Sequence, residues 1–337
     1  MRYYAEYLPN VGQVSVAFQG NDGSEVVAHP ESVTIGKDTV PLPAEIQVRE
    51  MPPVGRLNTL RFRASPDAAH TSMSDQIDSI HIDSPYGSSF VRKLPKGSLL
   101  CDPSTGSPIL TAALDTFRLR NMPSEHWAEM MDFWHCHKPH EKSAQFNPAY
   151  AVSQFKPNPG EILFGQEYIM VNKEDLSPEN KAMGKEEGDS LKIPKWNLQF
   201  SCPDGELIKV DPVQVLLFSM SELTNSHASH QFLLCDETQS DAEVKPAALV
   251  WIFNRNLTYT LSGVEGKEQG TKVYYTVDPS LVTELSEGRD QVEQVFYPKW
   301  VLDTFIGKLQ SSNSLLPEQS KMFLKWHMGL LDGKKVK

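Results

Sequence analysis

The stretch Gln13–Phe18, QVSVAF, followed by the turn sequence Asn21–Gly23, gives the first indication of a β-rich fold. Val14, Val16 and Phe18 alternate with smaller or polar residues, which is the period of a strand that buries one face. The glycine that ends the turn sequence can adopt the positive φ that a tight hairpin turn needs. The pattern therefore predicts a β-hairpin near the start of the chain.

The rest of the first hundred residues repeats such short segments, bounded by turn residues. The candidate strands are Ser32–Ile35, Glu45–Val48, Leu57–Arg63 and Ser79–Ile82. No ten-residue helical pattern lies between them. Connections this short cannot form the crossovers of a parallel sheet, so the strands are expected to be mostly antiparallel.

Further strands are predicted along the rest of the chain, together with two hairpins whose turns follow a cysteine. The turns are Asp102–Gly106, after Leu99–Cys101, and Pro203–Gly205, after Leu198–Cys202. The other strands are Glu161–Val171, Gln231–Cys235, Ala247–Phe253, Asn256–Leu261 and Lys272–Val277.

The first helix is predicted to begin near Pro123, because proline suits the first helical position, where its missing N–H would have no partner. Pro139 ends this helix. Its apolar stripe comprises Trp127, Met130, Met131 and Trp134. Later helices are predicted at Asp211–Leu223, Lys299–Leu309 and Pro317–Leu331.

The predicted strands come first along the chain and most of the predicted helices come late. This order indicates an α+β protein, with mostly antiparallel β-sheets and a few packed helices concentrated in the C-terminal half. We predict two lobes. Residues 1–150 form a β-rich N-terminal lobe that ends in the Trp/Cys/His helix, and residues 151–337 form an α+β C-terminal lobe.

The composition places the chain among globular proteins. Its 337 residues are 39% hydrophobic and 22% charged, which excludes wholesale disorder, collagen-like repeats and coiled coil. The net charge of −11 disfavours direct nucleic-acid binding, because an acidic surface repels phosphate. No stretch reads as a signal peptide or membrane span. Four cysteines without a Cys-x-x-Cys pair suit a reducing compartment, so we expect the cytoplasm and nucleus.

Common catalytic signatures, such as a P-loop or a Gly-x-Ser-x-Gly motif, are absent from the sequence. The segment Trp134–His140 instead concentrates three histidines and a cysteine, which are ligands that zinc prefers. If the helix continued, Cys136 would lie about 200° around from Trp134, facing away from the apolar stripe. Adjacent residues project in different directions, so this cluster can donate one or two ligands to an ion held elsewhere.

The run Met122–Trp127, followed six residues later by Trp134–His137, resembles the signature of the HECT-like ubiquitin ligase family, described as binding ubiquitin-conjugating enzymes. Supporting matches are Phe164–Asn172, Leu249–Asn254, Val295–Tyr297 and Leu316–Met322. The chain is most similar to the fungal branch, which is associated with pre-mRNA cleavage and polyadenylation.

The resemblance implies two roles. Family members are classed as ubiquitin-protein ligases that accept ubiquitin from a conjugating enzyme. They are also linked to the metallo-β-lactamase-type endonuclease that cuts pre-mRNA 3′ ends, and the Cys-His element enters the nuclease active site. Carried over to this chain, the partner-binding residues are Trp134, His135, Cys136 and His137. Cys136 would ligate the zinc of the nuclease in trans, and no intrinsic cofactor is implied.

The chain departs from the family at two cysteine knuckles. Relatives carry Cys-x-x-Cys where this chain has Cys101–Ser104 and Cys202–Gly205, so the second cysteine is missing from both. A structural zinc site needs four ligands, and we therefore expect no zinc bound by this protein alone. Cys101, Cys202 and Cys235 are expected to be small buried hydrophobic residues.

Three functional interpretations stay open. The protein is a stabiliser and inhibitor that plugs the nuclease zinc centre with Cys136, or an enzyme that carries ubiquitin as a thioester on Cys136, or a scaffold in which Cys136 merely packs. The second interpretation needs a thiol activated by a neighbour such as His135 or His137. The Thr-x-x-Cys segment of true HECT ligases is absent from the sequence.

Overall fold

The computed structural model describes residues 1–20, 25–48, 58–66, 84–122, 156–178, 184–239, 245–288 and 291–332. The strands are β1 (Arg2–Leu8), β2 (Gln13–Gln19), β3 (Val26–His29), β4 (Ser32–Ile35), β5 (Asp38–Pro41), β6 (Thr59–Arg63), β7 (Leu99–Cys101), β8 (Arg118–Asn121), β9 (Glu161–Phe164), β10 (Tyr168–Asn172), β11 (Lys185–Glu187), β12 (Ser190–Pro194), β13 (Gln199–Ser201), β14 (Leu207–Lys209), β15 (Gln231–Asp236), β16 (Ala248–Leu261), β17 (Glu268–Thr276), β18 (Val292–Tyr297), β19 (Met322–Phe323) and β20 (Trp326–Asp332). The helices are α1 (Ser88–Val91), α2 (Pro212–His227), α3 (Pro279–Ser286) and α4 (Lys299–Leu315). Short 3-10 helices lie at Pro9–Val11, Leu114–Thr116, Lys173–Asp175, Lys195–Asn197 and Glu318–Ser320. None of the described helices is long and apolar enough to cross a membrane.

The chain divides into two compact units. The first combines Met1–Ile82 with Ala228–Lys335, and the second is Asp83–His227 with Val336–Lys337. Strands from both ends of the chain pair in one sheet of the first unit, so that unit is not a continuous segment. The boundary predicted between residues 150 and 151 lies outside the described residues.

The first unit contains a nine-stranded sheet, in the order β19-β20-β17-β16-β1-β2-β6, with β15 beside β16 and β18 beside β15, and a three-stranded sheet of β3, β4 and β5. The strand predicted at Gln13–Phe18 is confirmed as β2, and Val14, Val16 and Phe18 are buried. The predicted hairpin is wrong, because β2 pairs with β1 and β6, whereas β3 pairs with β4 in a separate sheet. The short connection at Pro9–Val11 joins β1 to β2, so β1 is the antiparallel neighbour of β2.

The helix predicted at Pro317–Leu331 is wrong. After a 3-10 turn at Glu318–Ser320, these residues form the hairpin of β19 and β20. Trp326, Met328 and Leu330 are buried and lie on one face of β20, as alternate residues of a strand do. Gly329 and Leu331, on the other face, are buried as well. Hydrogen bonds to two neighbouring strands outweigh the local helical pattern.

Helix α4 packs against β20 and covers part of its backbone. The Asn313 side-chain amide donates to the carbonyl oxygens of Lys321 and Met328 at 2.8 and 2.7 Å. The hydroxyl of Ser312 accepts from Leu330 N at 2.8 Å. These bonds satisfy polar groups near the sheet edge that would otherwise be buried without partners.

The second unit contains a five-stranded sheet, in the order β11-β12-β10-β9-β8, and a three-stranded sheet, in the order β14-β13-β7. All residues of β9 and β10 are buried, as expected for strands covered on both faces. Among the described strands, two pairs are parallel, β8 with β9 and β15 with β18.

The α+β class is confirmed, because the described strands are mostly antiparallel and the three longer helices lie in the C-terminal half. Helices α2 and α4 confirm the predictions that begin at Asp211 and Lys299. The Asp211 carboxylate accepts from Val213 N at 3.0 Å, as expected for a residue that caps a helix N-terminus. The helix predicted between Pro123 and Pro139 lies outside the described residues.

A fully buried lysine, Lys195, joins three segments of the second unit. Its Nζ donates to Ser84 Oγ at 2.9 Å and to Pro85 O at 2.8 Å, and its backbone N–H donates to Glu167 O at 2.7 Å. Burial lowers the pKa of Lys195 to about 7, against the opposing effect of the Glu167 charge. The hydrogen bonds of Lys195 therefore connect these segments, although desolvation of its ammonium group costs free energy.

The close approach of α4 to β20 predicts an effect of Gly329→Ala. The new Cβ would lie 2.6 Å from Leu309 Cδ2 and 3.2 Å from Leu309 Cα, so the free energy of unfolding should fall by about 1–3 kcal/mol. Denaturant titration of the wild type and the variant measures this change in the free energy of unfolding. Gly307→Ala is the control, since its Cβ would meet nothing within 4 Å. Equal stability of the two variants would contradict the packing described.

Lys195 predicts a pH dependence of stability. Because the folded pKa is about 7 and an unfolded lysine titrates near 10.4, the unfolded state binds more protons between these values. The stability of the wild type relative to Lys195→Met should therefore rise by about 2–3 kcal/mol from pH 6.5 to 9. Denaturant titrations of both proteins measure this, and a pH-independent difference would show that the ammonium is not desolvated.

Candidate functional site

The residues predicted to bind a partner, Trp134, His135, Cys136 and His137, lie outside the described residues. The structure does describe both chain connections of the segment 123–155, and both reach the five-stranded sheet of the second unit.

Hydrogen bonds attach both connections to neighbouring strands. Before the segment, Met122 N donates to Phe164 O of β9 at 2.8 Å. After it, Pro157 O accepts from the side-chain amide of Asn172 of β10 at 3.3 Å. The chain therefore leaves and re-enters this sheet at adjacent strands.

A buried carboxylate, Glu161, links the two connections. Its Oε2 accepts from the backbone and side-chain nitrogens of Asn158 at 3.2 and 2.9 Å. Its Oε1 lies 3.4 Å from Arg118 Nη1 and 3.9 Å from Arg120 Nη1. The Asn158 hydrogen bonds, followed by the two guanidinium charges, lower the pKa of Glu161. The ionised carboxylate thus ties the strand before the segment to the residues after it.

The cysteines at the two knuckle positions do not share a site. In the pairing of β7 with β13, Cys101 lies opposite Gln199, whereas Ser201, the residue before Cys202, lies opposite Leu99. The two cysteines therefore occupy opposite ends of the strand pair, three residues or about 10 Å apart along it. Both are buried, as expected from the sequence.

Cys101 and Cys235 also lack the environment of a nucleophile. Burial raises the pKa of Cys101, and it raises the pKa of Cys235 to about 11. A reactive cysteine needs the opposite shift. Cys235 is buried as well, which confirms the expectation for all three of these cysteines.

Potential metal ligands meet at one turn of the second unit. One ligand atom each of Cys202, Asp204 and Glu206 lies within 4.8 Å of the others. Asp204 already accepts from Glu206 N at 3.1 Å, and both carboxylates are exposed. The set is one ligand short of the four that a structural zinc site uses. The absence of intrinsic zinc stays a prediction.

An exposed apolar patch lies where β16, β17 and β19 meet in the first unit. Phe253 is 48% exposed and Phe323 is 46% exposed. The ring of Tyr274 contacts both, with centroid distances of 5.1 Å to Phe253 and 5.3 Å to Phe323. We call Phe253, Tyr274, Phe323 and the adjoining Leu324 the aromatic surface.

Leu324 stands at the tip of this surface. Phe323 pairs with Trp326, so Leu324 and Lys325 form a two-residue hairpin turn. Leu324 has φ of 53° and is 82% exposed. A left-handed conformation costs a non-glycine residue about 1–2 kcal/mol, and leucine contributes no compensating local hydrogen bond. The two-residue turn requires the positive φ, and the exposure of the leucine side chain makes it a candidate binding contact.

The rings behind the tip are held in place by their neighbours. Trp251 lies 5.2 Å from Phe253, 5.5 Å from Tyr274 and 5.9 Å from Trp326, measured between centroids. These tilted and edge-to-face arrangements are the favoured geometries of aromatic pairs. The aromatic surface is therefore largely preorganised, which reduces the entropy that binding would cost.

A buried ion pair lies next to the same rings. Lys272 Nζ is 2.8 Å from Glu6 Oε2, and the Tyr4 hydroxyl donates to the same oxygen at 2.7 Å. The ammonium also lies 5.7 Å from the centroids of Phe253 and Tyr274, within the range of a cation–π contact. Burial is the main cause of the raised pKa of Tyr274, so this ring stays neutral at physiological pH.

The sequence patterns do not predict the aromatic surface. Phe253 ends a predicted strand, whereas Phe323 and Leu324 fall in the helix wrongly predicted at Pro317–Leu331. The signal that could have found the hairpin is the alternation that begins at Trp326. No local pattern indicates that Phe253 and Phe323, from distant parts of the chain, meet on one face.

Comparison with known proteins identifies the family. A model of the family described as HECT-like ubiquitin-conjugating enzyme (E2)-binding matches residues 6–328. The chain is 28% identical over 225 residues to the uncharacterized protein YJR141W of Saccharomyces cerevisiae, covering 62% of this chain and 61% of that relative. The chain thus spans less than two thirds of the length of this relative. No solved structure matches this chain. The match to the family model extends over nearly the whole chain, and the protein belongs to the HECT-like E2-binding family.

Proposed function

We propose that this protein binds a ubiquitin-conjugating enzyme through the aromatic surface. The observation that carries the proposal is Leu324, which is 82% exposed in a left-handed conformation beside two half-exposed phenylalanines. The family description names the class of partner. An exposed apolar cluster is a feature that marks protein–protein contact surfaces.

The arrangement has the anatomy of a protein–protein interface. Aromatic residues are enriched at the centre of such interfaces, where a few side chains supply most of the binding energy. Here the centre is aromatic, and the ion pair between Lys325 and Glu284 lies beside its tip. Full burial of one leucine side chain contributes about 1.5–3 kcal/mol, so Leu324 alone can change the affinity substantially.

A substitution at the tip separates binding from stability. Leu324→Gly removes the side chain and relieves the left-handed strain, so the dissociation constant for the conjugating enzyme should rise at least about tenfold while the protein remains as stable as the wild type. Calorimetric titration with a panel of purified conjugating enzymes measures the affinity, and thermal unfolding measures the stability.

The control is Leu207→Ser, which changes an exposed leucine of the second unit. It should leave the dissociation constant unchanged. If wild type and Leu324→Gly bind a conjugating enzyme with the same affinity, the aromatic surface is not the contact. If the wild type binds no member of the panel, the proposal of a conjugating-enzyme partner fails as a whole.

We further propose, from the Trp134–His137 element, that the protein stabilises and inhibits the zinc-dependent endonuclease of pre-mRNA 3′-end processing. Thiolate ligation by Cys136 would give directional affinity for zinc and exclude the hydrolytic water. Support comes from the connections of segment 123–155, which both lie on adjacent strands of one sheet. Hydrogen bonds thus attach the described residues on both sides of this segment to one sheet of the second unit. The role requires the protein in the nucleus as well as the cytoplasm.

Cys136→Ser tests this mechanism. The variant should inhibit the purified nuclease at least about tenfold more weakly, because serine is a poor zinc ligand, and unchanged inhibition would reject zinc ligation. The same variant tests the enzymatic alternative. A reductant-sensitive ubiquitin adduct that the wild type forms and Cys136→Ser does not form would support a ubiquitin-protein transferase with Cys136 as its nucleophile.

A further inference from the structure

A cleft of about 260 Å³ opens on the second unit, beside the end of α1 and the 3-10 helix at Leu114–Thr116. Apolar side chains form much of its wall, and charged side chains stand at its rim. The wall includes Val91, Leu114 and Phe117, and the rim includes Arg92, Lys96 and Asp115. All of them belong to residues 84–122, so the cleft is built by one unit.

The size of the cleft limits what it can hold. Pockets for drug-sized ligands and cofactors enclose about 300–1,000 Å³, which is more than the volume available here. One or two apolar side chains of a peptide would fit. Val91 and Leu114 are buried and Phe117 is half-buried, so an inserted apolar side chain would meet apolar partners.

The surroundings of the cleft are basic, although the protein is acidic. Arg92, Lys93 and Lys96 lie within five residues of the sequence, whereas the whole chain has a net charge of −11. Asp115 is the carboxylate among the lining residues, and the nearby Arg118 and Arg120 pair with Glu161. Lys93 and Lys96 are exposed. Within the part of the chain that the structure describes, no carboxylate lies at ion-pair distance from either ammonium. This local reversal of charge favours an acidic ligand.

The rim is held in one conformation. Arg92 Nη2 donates to Leu119 O at 2.7 Å, and the carboxylate of Asp115 accepts from Gly97 N at 3.0 Å. The Ser98 hydroxyl donates to Pro95 O at 2.6 Å. These bonds fix the loop that carries Lys96 before any ligand binds, which reduces the cost of binding.

We propose that this cleft binds an acidic peptide segment of a partner protein. The peptide places an apolar side chain against Val91, Leu114 and Phe117, and its carboxylates face Arg92 and Lys96. The apolar wall favours a peptide over a nucleic acid, whose backbone would gain only the basic rim. This site is independent of the aromatic surface and of the proposed conjugating-enzyme contact.

Fluorescence anisotropy with the full chain tests the proposal. The probe is a fluorescein-labelled peptide of two leucines flanked on each side by three glutamates. Saturable binding is expected, and it should weaken as salt rises from 50 to 200 mM. Replacing the two leucines of the probe by serines, or its glutamates by lysines, should abolish binding, since each change removes one of the two complementary features.

Lys96→Glu should weaken binding of the probe at least about fivefold, because it reverses a charge at the rim. Lys209→Glu is the matched control, since it reverses an exposed charge elsewhere on the same unit, and it should have less than a twofold effect. The proposal is overturned if the probe does not bind, if the serine peptide binds equally well, if the two variants behave alike, or if a labelled oligouridine binds instead of the peptide.

Discussion

The ion pair between Glu6 and Lys272 is the interaction on which the first unit and its aromatic surface depend. Glu6 lies on β1 and Lys272 on β17, the strands on either side of β16. The pair joins residues 266 positions apart in the chain. Desolvation of both charges offsets much of their attraction. The pair therefore links two strands that are not hydrogen-bonded neighbours in the sheet.

The same pair connects the fold to the surface that we propose as functional. Lys272 contacts the rings of Phe253 and Tyr274, and Tyr4 completes the hydrogen bonding of Glu6. At the other side of the patch, α4 covers the backbone of β20 and fixes the hairpin that carries Leu324. The exposed rings and the strained turn are thus supported from both sides by polar contacts.

Local patterns in the sequence predict much of this fold. Alternation at Val14, Val16 and Phe18 identifies β2, and Asp211 marks the start of α2. Partners of strands are harder to predict, because pairing between distant segments depends on contacts that no local pattern contains. This is why the predictions of a hairpin after β2 and of a helix at Pro317–Leu331 are wrong.

The candidate sites differ in the same way. The Trp134–His137 element is visible in the sequence because its ligands are consecutive, whereas the aromatic surface exists only after β16, β17 and β19 are brought together. Leu324 has no sequence signature, since its significance lies in its exposure and its φ angle. The basic cleft likewise needs the structure, which places an apolar wall beside Arg92 and Lys96.

Site-specific photocrosslinking tests the central claim most directly. A photoreactive benzoylphenylalanine at position 324, in the full chain mixed with a ubiquitin-conjugating enzyme that it binds, should give a covalent adduct of the two proteins on illumination. The same residue at position 11, where Val11 is also exposed, should give none. An adduct from position 11 and none from position 324 would contradict the account.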